Sequence, residues 1–187
     1  MGQYLAMGLM HEMIVDNADL KKKKISKEEL KQEIENDLLF DLKLYDETED
    51  EKYLLFKLKD EALETYLIPF LEAFLPKVYD KKDERYYLDL LQQLRSIPVS
   101  EWINLAKKKS NYAFRYDPYG ESDYIYFEEK PFQPGICVRF NSLMLYLGHG
   151  KIITEGIEFF LHFFKYSLHE TFKEHPIVKA IRVYITG

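Results

Sequence analysis

Residues 154–173 read TEGIEFFLHFFKYSLHETFK. At about 100° per residue, Ile157, Phe160, Leu161, Phe164, Leu168 and Phe172 fall on one arc of a helix. Glu158, His162, Lys165, His169 and Lys173 form a polar stripe beside it. Phe159, Phe163 and Tyr166 make a second apolar stripe across the helix from the first. An ordinary surface helix carries one apolar stripe. A helix with two needs a sheet beneath it and a further partner against its flank. Strand-like segments lie on both sides of it in the chain. The expected fold is therefore α+β: a largely antiparallel sheet of about six to eight strands, with the 154–173 helix packed on it.

Working outward, Tyr4–Val15 is apolar on both alternating faces, the mark of a strand covered above and below. Gly8 within it suggests a bulge or a close backbone approach. Asn17–Lys24 is polar, ends in four lysines, and reads as a solvated loop. Ser26 and Glu29 make a capping box before Leu30, Ile34 and Leu38, with Ile25 placed to staple onto Leu30. Phe40–Tyr45 and Tyr53–Leu58 alternate like two strands, joined by an acidic tip at Asp46–Glu51. From about 60 to 109 the pattern is helical and reads as an insertion: a kink or two short helices meeting at Pro69, the second piece limited by Pro76, then a further helix through Tyr87, Leu90, Leu91 and Leu94. Asp117-Pro118-Tyr119-Gly120 carries the residues of a type I turn followed by a glycine. It predicts a hairpin with Arg115 opposite Asp123, within an aromatic stretch spanning residues 112–129. Ile136–Phe140, Leu143–Leu147 and Ile177–Ile185 are further strands, with a turn at Gly148-His149-Gly150.

The length of 187 residues suits a single domain over 1–187 with a sizeable core. Net charge is −6, which argues against a phosphate-binding face. Nucleic-acid binding through Lys21–Lys24 and Lys107–Lys109 is thus the least favoured reading. One cysteine, Cys137, cannot form an internal disulfide and points to a reducing interior. The opening MGQYLAMGLMHEMIV lacks a basic start and a cleavage site, and no apolar run is long enough to span a membrane. The expected location is cytoplasmic.

His162 and His169 are seven residues apart, about 10 Å along a helix, too far for one metal ion. The acidic tip lacks the glycine and ligand offsets of a calcium loop. No metal and no cofactor is expected, and no enzyme motif rises above background. Aromatic residues reach 16%, with 15 Tyr and 13 Phe, and large rings raise the odds of an interaction face. Candidate interface residues are Phe159, Phe163 and Tyr166 on the helix, and Tyr112, Tyr116, Tyr124, Tyr126, Asp117 and Glu121 on the hairpin. The carboxylates there suit a basic protein partner; self-association through the helix is the other expectation. The profile is that of small cytoplasmic bacterial accessory or immunity proteins that bind and regulate or neutralise a partner. The alternative is an enzyme or small-ligand protein with a pocket near His149, His11 and the hairpin.

Overall fold

The computed structural model describes residues 4–78, 84–108, 114–127, 134–149 and 157–186. The fold is α+β; among the described residues a six-stranded sheet runs in the order β2-β3-β1-β5-β4, with β6 paired to β1. The strands are β1 (Tyr4–Asp16), β2 (Tyr45–Glu49), β3 (Tyr53–Leu58), β4 (Phe114–Ile125), β5 (Ile136–His149) and β6 (Ile181–Thr186). The chain divides into two compact units, one of Met1–Leu9, Asp60–Tyr116 and Leu143–Gly187, the other of Met10–Lys59 and Asp117–Ser142.

In the first unit, β1 pairs antiparallel with β6 from Tyr4↔Thr186 to Leu9↔Ile181 in an unbroken register. Gly8 therefore makes no bulge in this ladder; it sits opposite Arg182. The helical insertion is present. It comprises α3 (Asp60–Ala62), a π-helical turn (Leu63–Leu67), α4 (Ile68–Val78), α5 (Glu84–Ser96) and α6 (Trp102–Ala106). Pro69 does not break the helix. The π-turn just before it widens the backbone where the proline ring would clash and its missing N–H leaves a carbonyl unbonded. Pro76 lies inside α4 rather than ending it. The predicted face of α5, Tyr87, Leu90, Leu91 and Leu94, is buried, and Trp102 Nε1 donates to the Leu94 carbonyl at 3.0 Å.

The long helix is α7 (Ile157–Phe172), which packs on β6 and on the 3-10 turn Pro176–Ala180. On its first stripe Leu168 and Phe172 are buried and Phe164 is half-buried. Phe172 does not meet the sheet alone. Its ring stands edge-on to Phe70 at 5.3 Å and to Phe74 at 5.7 Å, so the insertion packs against Phe172 of the first stripe. The side chains of Ile157, Phe159, Phe160, Leu161 and Phe163 lie outside the described residues.

In the second unit, β1 pairs antiparallel with β3 from Glu12↔Lys57 to Asp16↔Tyr53, and β3 with β2 from Tyr45↔Leu58 to Glu49↔Leu54. The residues after β1 form a helix, not a loop: α1 (Asn17–Lys23), capped by the Asp16 side chain. The lysine run closes that helix, where cations complement the dipole. The capping box of α2 (Lys27–Asn36) is present as predicted. Phe40–Leu44 is not a strand. Leu42–Leu44 is a 3-10 turn, and the strand begins at Tyr45, whose hydroxyl donates to the Met10 carbonyl at 2.8 Å.

The acidic run is correspondingly strand rather than tip, because α2 supplies its counter-charges. Lys31 reaches Glu47 at 3.0 Å, and Lys27 pairs with Glu49. One helical turn between the lysines rises about 6 Å, close to the roughly 7 Å between alternate residues of a strand. The tip itself is Asp50–Lys52.

The largest departure is at β4. Asp117–Gly120 is no turn; it lies inside one unbroken 12-residue strand. Arg115 and Asp123 are eight positions apart along that strand, on the order of 26 Å, and cannot pair across it. Local conformational preference is small, about 1 kcal/mol across the whole strand-propensity scale, and is overridden by context. It yields here to the ladder offered by β5, which is likewise one strand of 14 residues through Gly148 rather than two.

Candidate functional site

The hairpin in this region is formed by β4 and β5. Tyr124 and Tyr126 sit on the same face at its closing end, 53% and 63% exposed, with ring centroids 6.5 Å apart. Exposed rings two residues apart on a strand face are neighbours by geometry, and three features lie close to this strand end.

The first is Gly135. A Cβ there would come within 2.8 Å of the Ile125 carbonyl oxygen and 3.1 Å of the Tyr126 ring, so only glycine allows this approach. The second is Lys23, whose Nζ donates to the Gly135 carbonyl at 2.7 Å and lies 3.8 Å from Asp19. The third is half-buried Cys137, beside the Tyr124 hydroxyl. Its charge, then its hydrogen bond, push the Tyr124 pKa above the ordinary phenol value. None of the three stood out in the sequence as belonging with the tyrosines. Residues more than a hundred positions apart come together only through the β1–β5–β4 order, and Pro134-Gly135 was the one local hint of a close approach.

The other candidates are dispersed. Phe114 is buried and Tyr116 half-buried, with the Lys107 ammonium 4.7 Å from the Tyr116 ring centre. Tyr112 lies outside the described residues. Asp117 is half-buried, and burial raises its pKa; Glu121 is half-exposed and Asp123 exposed. Tyr166 is 62% exposed on α7, while Phe159 and Phe163 are in α7 with side chains outside the description.

His11 is buried on β1, its Nδ1 3.8 Å from a Glu12 carboxylate oxygen, and Asn141 Nδ2 donates to Glu12 at 2.6 Å. These are polar groups linked within the sheet core. His149 ends β5, its side chain outside the described residues. A cleft of about 490 Å³ opens elsewhere, between α4 and α5, lined by Leu75, Pro76, Leu88 and Leu91 with Glu72, Gln92 and Arg95. Among the described residues no cluster of three or more His, Cys, Asp or Glu side chains could hold a metal ion. No described helix is long and apolar enough to cross a membrane.

Compared with family models, with curated proteins and with solved structures, the chain matches none.

Proposed function

We propose that the chain is a protein-binding module whose working surface is the Tyr124–Tyr126 pair at the end of the β4–β5 hairpin. One observation carries this reading: two large rings stay exposed side by side on a strand end that Gly135 approaches closely, with Lys23 bonded to the Gly135 carbonyl. Tyrosine offers wide apolar contact with a polar tip and few rotamers to freeze, which is why it anchors interfaces. The carboxylates of Asp117, Glu121 and Asp123 on the same strand favour a basic partner. Such a surface suits an accessory protein that regulates or neutralises a partner inside the cell.

The test is quantitative affinity capture from host lysate with three forms: the natural chain, Tyr124→Ser/Tyr126→Ser, and Tyr166→Ser on α7. The expected result is a partner retained by the natural chain and by Tyr166→Ser but lost from the double variant. Its binding is then confirmed by calorimetry with purified components. Equal capture by all three forms, with unchanged circular dichroism, would overturn the assignment of the surface.

A further inference from the structure

We propose that the outer edge of β4 binds an extended, basic segment of a partner protein as an added strand. The inference rests on the protein-binding reading above and adds its mode and the chemistry of the occupant. β4 ends the sheet order, and among the described residues no strand lies beyond it. Backbone groups of successive strand residues point alternately to the two edges.

The Ile125 carbonyl is turned toward Gly135 at the start of the β5 side. By alternation, Tyr124, Ser122 and the residue at 118 turn their backbone groups to the outer edge. Position 118 is proline, which has no N–H to lose and is tolerated in a sheet only where it faces away from the ladder. Two separate observations, a carbonyl contact and a proline, thus assign the same edge as open. The N–H and C=O groups of Ser122 and Tyr124 are available there for a further strand.

Charge decides what that strand is. β4 holds three carboxylates, Asp117, Glu121 and Asp123, against a single cation, Arg115 near its start. A second copy pairing edge to edge would set carboxylates against carboxylates, which is destabilising in cross-strand positions. A basic segment meets the opposite situation. The two faces of β4 also differ. Glu121 and Asp123 lie on one, while Ser122, Tyr124 and Tyr126 lie on the other. The fitting ligand therefore alternates: cationic residues on the carboxylate face, apolar residues against the tyrosine rings.

The probe is a capped ten-residue peptide of alternating arginine and valine, titrated into the full chain by fluorescence anisotropy. Two further versions carry backbone N-methyl groups, at the arginines or at the valines, which leave charge and side chains in place but remove ladder donors. The unmodified peptide is expected to bind, and one of the two methylated forms to bind about tenfold more weakly or worse. An alternating glutamate–valine peptide is expected not to bind. Ser122→Pro repeats on the same edge what Pro118 already does, so it is compatible with the β5 ladder while obstructing an added strand. It is expected to lose the peptide, with Ser122→Ala retaining it.

No binding of the arginine–valine peptide overturns the proposal, as does equal binding of all three versions. Should Ser122→Pro disturb folding, the methylated peptides on the natural chain still decide. If Tyr124→Ser/Tyr126→Ser loses its captured partner while Ser122→Pro keeps both partner and peptide, the aromatic surface stands and strand addition falls. If Ser122→Pro and one methylated peptide lose binding but capture does not depend on the tyrosines, the edge stands and the aromatic surface falls.

Discussion

Two aromatic clusters in this protein use similar side chains for opposite ends. In the first unit Phe70 and Phe74 stack at 5.3 Å, with Phe172 edge-on to both and His175 alongside. Phe70 is 0% exposed. In the second unit Tyr124 and Tyr126 are ring neighbours at 6.5 Å, yet more than half of each is in water. Aromatic content alone therefore says little about function. What separates the clusters is cover: α4 and α7 close over the phenylalanines, and no described element closes over the tyrosines. The hydroxyl matters too, since a tyrosine can keep its tip solvated where a phenylalanine would expose only apolar surface.

The largest expected difference is in stability. Phe70→Ala should cost about 3–5 kcal/mol, from lost transfer energy and the cavity between Phe74 and Phe172. Tyr124→Ser/Tyr126→Ser should change stability by only about 0.5 kcal/mol, as exposed positions do. Urea unfolding measures both. A tyrosine variant as destabilised as Phe70→Ala would break the comparison and return those rings to the core.

Next in size is Gly135→Ala. The added methyl meets a backbone carbonyl, which cannot swing aside as a side chain would, so the expected cost is about 1–3 kcal/mol. Peptide and partner binding should weaken with it, because Tyr126 must move. Unchanged stability would show that Gly135 does not approach this strand end so closely.

Leu39 sharpens the comparison differently. It is also apolar and exposed, but its φ is 59°, a left-handed conformation at the end of α2 where glycine is usual. Its exposure follows from backbone placement and suggests no partner. Leu39→Gly should stabilise the fold by about 0.5–1 kcal/mol, the relieved strain exceeding the entropy lost to glycine. Thermal unfolding decides; a lower melting temperature would mean that Leu39 makes contacts that offset its strain.

The parts of the fold legible in the sequence were those written within one element. Leu30, Ile34 and the Ser26–Glu29 box announce α2, Tyr87–Leu94 announces α5, and two-sided apolarity announces β1. The misread parts depend on partners distant in sequence. Asp117–Gly120 spells a turn, but β5 draws it straight. Asp46–Glu49 spells a loop, but Lys27 and Lys31 on α2 neutralise it as a strand. The same reason limited the site. Tyr124 and Tyr126 could be named from their alternation, whereas Gly135, Lys23 and Cys137 join them only through strand order.

The smallest effect is electrostatic and tests whether the exposed pair sits where the geometry places it. Tyr124 is raised above the usual phenol pKa of about 10 chiefly by the Cys137 charge, then by its hydrogen bond, with Tyr126 and Asp19 adding less. The sign follows directly. A phenol whose folded pKa exceeds its unfolded one favours folding below about pH 10, and that contribution fades as pH rises through the folded value. Cys137→Ser removes the thiolate, so Tyr124 should then titrate at lower pH, nearer the ordinary phenol. The measurement is the pH dependence of the Tyr124 Cζ resonance, assigned by its loss in Tyr124→Phe. If Cys137→Ser leaves Tyr124 titrating as before, the thiol is not beside the hydroxyl. The packing of the β4–β5 end would then differ from the one that keeps the two rings in place.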